Sequence, residues 1–189
     1  MISPRFMPEP DLLAECREDH FRGSGAGGQK RNKTSNGVRI LHLPTGVIAT
    51  ATESRSLKEN RLWAIRRLRI KLAADVREPV DLAHFSPPDW FLTIRRERRI
   101  EVSHRHEFYA AAAGLALDLL EALGGNPAAV ANNLGVSTSS VLKLLSAESA
   151  FWGAANRIRA AVAPPSGAAA GTTSDKSLKK LTLPGRSKR

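Results

Sequence analysis

The sequence predicts an α+β protein: a small mixed β-sheet with a packed helix, then an α-helical domain and a disordered basic tail. Three observations carry this reading. Residues 37–52 alternate apolar and polar types on either side of Pro44-Thr45-Gly46, the pattern of a β-hairpin. Ser56 and Glu59 stand in S-x-x-E spacing ahead of Leu62, Ile65, Leu68 and Leu72, an apolar stripe at helical period. From Ser103 to Ala163 the chain is rich in alanine and leucine and reads as helical. A length of 189 residues fits a small domain with an appendage, and 42% hydrophobic content suffices for a core of ordinary size.

Taken in order, residues 12–22 are compatible with a strand, although their alternation is poor. Gly23-Ser24-Gly25-Ala26-Gly27-Gly28 excludes regular structure, because glycine loses the most backbone entropy on ordering. Val38 to Leu43 is the first strand of the hairpin, and Val47 begins the second. The helix after Ser56 carries Arg61, Arg66, Arg67, Arg69 and Lys71 beside its apolar stripe. Pro79 and Pro87-Pro88 mark an irregular connection. Gly124-Gly125 ends one helix of the later stretch. Asn126-Pro127 starts the next, with Asn as N-cap and Pro at the first helical position, and Ser137 caps a third. Beyond Pro164-Pro165 the composition turns to Gly, Ala, Thr, Ser and Lys, which predicts disorder. The expected domains are 1–100, 103–163 and a tail over 164–189.

The formal net charge is +11, and it is uneven. Residues 21–100 carry 17 Lys+Arg against 7 Asp+Glu, residues 101–150 carry 2 against 5, and residues 171–189 carry 6 against 1. An excess of that size over the first block favours contact with phosphates, although a solvated surface is the equal alternative for any single side chain. No apolar run approaches the roughly 20 residues of a membrane-spanning helix. The acidic stretch Met1 to Glu18 lacks the basic flank and apolar run of a secretory signal. The single cysteine, Cys16, forms no internal disulfide and reads as a strand residue in a reducing, cytoplasmic protein. No His/Cys cluster has ligand spacing, so no metal is expected.

The glycine-rich loop is weakly informative by itself. A P-loop reads GxxxxGK[ST], whereas here Gln29 and Lys30-Arg31 follow Gly28. Gly23, Gly25 and Gly28 stand in GxGxxG spacing, but a hairpin follows them where a dinucleotide fingerprint opens a helix. The longer string decides. Phe21 to Thr34 reads FRGSGAGGQKRNKT, Val38 to Gly46 reads VRILHLPTG, and Glu53-Ser54-Arg55-Ser56 and Asn60 follow. This resembles the catalytic domain of bacterial and organellar class I peptide-chain release factors over roughly residues 10–75. Several motifs of that family occur here in the same order and spacing.

The resemblance implies a substrate and a site. The substrate is the ester joining a nascent peptide to the 3′ adenosine of tRNA, in the ribosomal peptidyl-transferase centre. Catalysis falls to Gly27, Gly28 and Gln29. Glycines at 27 and 28 let the main chain approach the adenosine closely. The Gln29 backbone N–H stabilises the developing charge or the leaving hydroxyl. Its side chain positions or selects the water, because an amide is a poor general base. Ribosomal RNA and the tRNA supply much of the rest, and no cofactor is implied. Arg22, Lys30, Arg31 and Lys33 read as phosphate clamps. Asn32, Lys33 and Thr34 match the family string, with local turn bonding the equal alternative for Asn32 and Thr34. Lys30-Arg31 replaces a commoner histidine-valine-like pair. Arg55 and Ser56 are expected to be structural, through an internal hydrogen bond and a helix cap. His42 is expected to be packed and not to act as a base. Gln29 is a candidate for methylation, which occurs in the family.

Class I release factors read a stop codon with a separate domain, and the short stretch before Phe21 leads us to expect none here. Single-domain relatives with the same loop rescue stalled ribosomes without reading a codon, and their basic tail occupies the empty mRNA channel. The expected function is therefore codon-independent hydrolysis of peptidyl-tRNA on stalled ribosomes by a cytoplasmic monomer. Lys176, Lys179, Lys180, Arg186, Lys188 and Arg189 would contact RNA in that channel; a generic basic end is the equal alternative. Termination with a separate decoding partner is a second reading, and a non-catalytic ribosome- or RNA-binding factor a third. The intact Gly27-Gly28-Gln29 argues against the third. Finally, residues 128–145 (AAVANNLGVSTSSVLKLL) fit helix-turn-helix spacing. The candidate recognition helix has one cation, Lys143, and the surrounding stretch 101–150 is net acidic. A plain helical bundle, with Phe151 and Trp152 in its core, is preferred over a DNA reader.

Overall fold

A computed structural model describes residues 4–22 and 35–162. Among them the chain forms α1 (Glu9–Ala14), β1 (Cys16–Phe21), β2 (Gly37–His42), β3 (Ile48–Ala51), α2 (Leu57–Asp75), α3 (Asp89–Ile94), β4 (Arg95–Arg96), β5 (Arg99–Ile100), α4 (Phe108–Ala122), α5 (Pro127–Leu134), α6 (Thr138–Ser146) and α7 (Ser149–Val162). The α+β class is as expected. These elements gather into two units, Met1–Glu78 with Val102–Leu115, and Pro79–Glu101 with Ala116–Arg189. Helix α4 is divided between them at Leu115.

In the first unit the strands lie in the order β1-β2-β3, and both pairs are antiparallel. The sheet is thus antiparallel and not mixed. A parallel neighbour needs a long crossover, whereas β2 returns into β3 through the predicted Pro44-Thr45-Gly46 turn. Gly46 N–H donates to His42 O at 2.8 Å, and His42 N–H donates to Val47 O at 2.9 Å. Along β2, Val38, Ile40 and His42 are buried while Arg39 is exposed. Along β3, Ala49 and Ala51 are buried while Ile48 and Thr50 are exposed. The buried face receives α2. Ala64, Ile65, Leu68 and Leu72 form one core with Leu12, Val38, Ile40, Ala49 and Ala51.

Three local details differ from expectation. Leu62 is 49% exposed. At about 100° per residue it stands about 120° around the helix from Leu68, and Ala64 occupies the buried stripe instead. Only half of the capping box forms. Ser56 Oγ accepts from Glu59 N–H at 3.3 Å, but the Glu59 carboxylate accepts from the Ser54 hydroxyl, and Ser56 N–H donates to Ser54 Oγ. The first strand is also shorter than residues 12–22. Leu12, Leu13 and Ala14 belong to α1, which has Pro10 in its first turn and buries Leu12. Cys16 does open the strand. Its thiol donates to Leu12 O at 3.1 Å, and burial, then the Glu15 charge, raise its pKa, so it is held as an unreactive thiol.

In the second unit the helix boundaries follow the sequence. Gly125 N–H donates to Leu120 O at 2.7 Å and Gly124 N–H to Glu121 O at 3.1 Å, the paired bonds of a Schellman stop. Asn126 Oδ1 accepts from the N–H groups of Ala128 and Ala129, with Pro127 opening α5. Ser137 Oγ accepts from Ser140 N–H at 3.2 Å and caps α6. Phe151 and Trp152 are buried. The short β4–β5 hairpin groups with these helices. No helix of the described residues is long and apolar enough to cross a membrane.

Candidate active site

Phe21 and Gly37 form the last rung of the β1–β2 ladder, and residues 22–36 join them. Gly27, Gly28, Gln29, Lys30, Arg31, Asn32, Lys33 and Thr34 lie outside the described residues. So do Lys176, Lys179, Lys180, Arg186, Lys188 and Arg189. Arg22 is described and exposed, directly after β1. What the structure shows is the stem from which the loop departs.

That stem is held at both ends. A Cβ at Gly37 would fall 2.9 Å from Phe21 O and 2.9 Å from Phe21 Cζ, so only glycine fits this rung without moving backbone. The Arg39 guanidinium sits 5.5 Å from the Phe21 ring centroid, a cation–π distance. On the return side Asn60, fully buried in the second turn of α2, uses its whole amide. Its Nδ2 donates to Asn36 O at 2.6 Å and to Ser54 O at 2.8 Å, and its Oδ1 accepts from Ser54 N–H at 2.9 Å. One side chain therefore ties the residue before β2, the β3–α2 turn and the helix together.

Below the stem, β1 is tied to α2. Arg61 donates to Glu18 Oε2 at 3.0 Å, and His20 Nε2 lies 3.0 Å from Glu18 Oε1. Burial alone would raise the Glu18 carboxyl, but the bonds from His20 and Arg61 outweigh it and hold its pKa below the ordinary value. Other α2 cations are also engaged within the unit. Arg67 donates to Thr50 O at 2.7 Å and to Glu53 at 2.5 Å, and that bond holds the Glu53 carboxyl low. Lys71 donates to Ile48 O at 2.6 Å, and Arg69 donates to Met7 O at 3.0 Å. The cationic remainder of α2 is in large part structural.

His42 is packed, as expected. It is 1% exposed, with Nδ1 2.7 Å from Thr45 Oγ1 and Nε2 3.1 Å from Glu15 Oε2. Ser56 is the expected cap. Arg55 differs: it is exposed and forms no hydrogen bond or ion pair among the described residues, because Ser54 and Asn60 supply the bonds of the turn it sits in. Asn60 was visible in the sequence as part of the family string, but nothing there assigned it a role. The usable signal was a polar residue one turn before Ala64 on the apolar face. Among the described residues no group of three His, Cys, Asp or Glu side chains is placed to hold a metal ion.

In the first unit an antiparallel three-stranded sheet is backed by α2, and residues 22–36 connect β1 to β2 at its Phe21–Gly37 end. Residues 13–84 match the family described as the RF-1 domain, and this segment belongs to the class I release-factor catalytic domain family. The chain is 47% identical over 73 residues to the Peptide chain release factor 1 of Verminephrobacter eiseniae, which covers 35% of this chain and 20% of that protein. It is 42% identical over 91 residues to the protein of that name from Ureaplasma parvum, 44% of this chain and 25% of that protein. It is 50% identical over 64 residues to the one from Acidiphilium cryptum, 34% and 18% respectively. The chain thus spans about a fifth to a quarter of the length of these relatives.

Proposed function

We propose that this chain hydrolyses the ester of peptidyl-tRNA in the ribosomal peptidyl-transferase centre, and that it does so on stalled ribosomes without reading a codon. The observation that carries the hydrolase reading is the RF-1 match over residues 13–84, which contains Gly27-Gly28-Gln29. The stem supports it. The Phe21–Gly37 rung and the Asn60 amide fix where the loop leaves and rejoins the sheet, and positioning is most of what such a loop contributes.

In the proposed reaction water attacks the ester carbonyl carbon. The bond from that carbon to the ribose 3′ oxygen breaks. The peptide leaves as a carboxylic acid, and the tRNA keeps a 3′ hydroxyl. The Gln29 main-chain N–H donates to the oxygen on which charge develops. Its side-chain amide orients the water. Arg22, Lys30, Arg31 and Lys33 hold phosphates around the loop. Codon independence is supported by residues 171–189, whose 6 Lys+Arg against 1 Asp suit an RNA-walled mRNA path.

The test is release of labelled peptide from ribosomes stalled on mRNA that lacks a stop codon. Wild type runs beside Gln29→Ala, Gly28→Ala and a chain ending at Pro165. The expected result is release by wild type and collapse in both loop variants. Loss of release on truncation alone assigns stall sensing to the tail. Release that requires a stop codon or an added decoding protein sinks the rescue reading and leaves assisted termination.

A further inference from the structure

The second unit carries a charged surface that the hydrolase reading does not use. Residues 95–99 read Arg-Arg-Glu-Arg-Arg and form the β4–β5 hairpin. This hairpin is docked onto the helix-turn-helix of α5 and α6. Arg95 Nη1 donates to Leu134 O at 3.2 Å, the last residue of α5. Ser137 N–H, at the cap of α6, donates to Arg98 O at 2.8 Å. Ile100 N–H donates to Ser140 Oγ at 2.8 Å. The turn glycine between the helices belongs to the same arrangement. Gly135 has φ +67°, and a Cβ there would fall 2.5 Å from Arg95 Nη1.

The hairpin holds its charge against its own stability. Arg96 and Arg99 stand directly opposite each other across the ladder, where like charges repel. Glu97, at the tip, has φ 51°, a conformation that favours glycine. Arg96, Arg98 and Arg99 are exposed, and their guanidinium groups form no hydrogen bond or ion pair among the described residues. This contrasts with Arg61, Arg67 and Lys71 of α2, which are engaged within their own unit. A strained and repulsive arrangement of three uncommitted guanidinium groups is complementary to a polyanion.

We propose that the β4–β5 hairpin and the head of α6 form a wing-and-helix surface that grips the phosphate backbone of double-helical RNA. The hairpin supplies the cations whose absence argued against reading residues 128–145 as a nucleic-acid module. The exposed side chains of α6 choose the mode of binding. Ser139 and Lys143 are the exposed residues of α6, which has no Arg, Asn or Gln, so few groups are available there to read a run of base edges. Such a surface binds backbone and shape without reading sequence, and RNA helices are recognised largely that way. The partner is RNA because the same chain carries a domain of translation factors.

The experiment measures binding of the full chain to an RNA duplex of about 20 base pairs, and to a DNA duplex of the same sequence, across a salt series. Arg96→Ala/Arg98→Ala/Arg99→Ala is compared with Arg96→Lys/Arg98→Lys/Arg99→Lys. A control, Lys58→Ala/Arg66→Ala, removes two exposed cations from α2. The alanine triple is expected to lower the slope of log affinity against log salt by about 2–3 and the lysine triple to preserve it. The control should lower the slope by less per cation removed. Circular dichroism checks that the helices of the variants are intact. An unchanged slope, or a loss per cation equal to the control, overturns the proposal. Preference for the DNA duplex overturns the assignment to RNA. Because the readout is binding, these results are separate from peptide release, which Gln29→Ala tests.

Discussion

Replacing Asn60 by alanine tests whether the loop stem is held from the helix. The substitution removes three hydrogen bonds made by one fully buried side chain: Nδ2 to Asn36 O, Nδ2 to Ser54 O, and Ser54 N–H to Oδ1. At a net worth of about 1 kcal/mol each, the loss is about 3 kcal/mol. If the stem opens locally, the Ser54 amide then exchanges with solvent on the order of 100-fold faster, since each 1.4 kcal/mol is about tenfold. The assay is hydrogen exchange read on peptides covering residues 35–42 and 52–60, run beside single-turnover peptide release. Exchange should accelerate in both peptides and release should fall, because misplacing a positioning loop by about 1 Å costs on the order of 100-fold in rate. Unchanged exchange at Ser54 and Gly37 would refute the clamp. Faster exchange with an undiminished release rate would refute the claim that the clamp serves catalysis.

Other consequences are as direct. Gly37→Ala drives a Cβ against Phe21 O, a backbone atom that cannot rotate away, and should destabilise the protein by about 1–3 kcal/mol in urea unfolding; an unchanged midpoint would show that the rung has slack. Because the folded-state pKa of Glu18 is depressed, its contribution is complete above the ordinary value of 4.5 and is lost as pH falls through the lower, folded value. Glu18→Gln should therefore cost about 0.5–1 kcal/mol at pH 7 and progressively less as pH falls below 4.5 through the folded value, and a cost independent of pH would remove the ion pair from the account. Leu68→Ala should cost about 2–5 kcal/mol while Leu62→Ala stays within about 0.5 kcal/mol, and equal costs would contradict the observed helix phase. Gly135→Ala should cost about 1 kcal/mol or more and loosen the docked hairpin, seen as faster exchange at Ile100.

The elements set by neighbours in sequence were the ones the sequence disclosed. The Pro44-Thr45-Gly46 turn, the Asn126-Pro127 start, the Ser137 cap and the Gly124-Gly125 stop each depend on residues within a few positions, so their chemistry is local and readable. The family string is local in the same sense, and the Gly27-Gly28-Gln29 it points to lies outside the described residues. What escaped depends on distant partners. Leu62 has the spacing of a core residue, yet α2 turns Ala64 and Ile65 into the core shared with Ala49 and Ala51 and leaves Leu62 half exposed. Asn60 looks like a flaw in an apolar stripe until Asn36 and Ser54 are brought to it. The segment 95–99 adjoins the basic first half in sequence, but it groups with helices that begin some 30 residues later.

Charge shows the same division most clearly. A count of cations by segment treats Arg67, paired with Glu53, and Arg98, paired with nothing among the described residues, as equal. They differ in what an incoming phosphate must displace. An exposed pair such as Arg67–Glu53 is worth about 0–1 kcal/mol, so breaking it is cheap, but the carboxylate stays nearby and opposes the phosphate. Among the described residues neither Arg96 nor Arg99 forms an ion pair, even with Glu97 at the hairpin tip, and an anion placed between them relieves their mutual repulsion. Phosphate contact by the hairpin therefore relieves a conflict already present in the fold. Contact by Arg67 on α2 competes with a bond the fold already makes. Salt should weaken these two kinds of contact unequally, and a comparison of slopes reads that difference where a comparison of net charge does not.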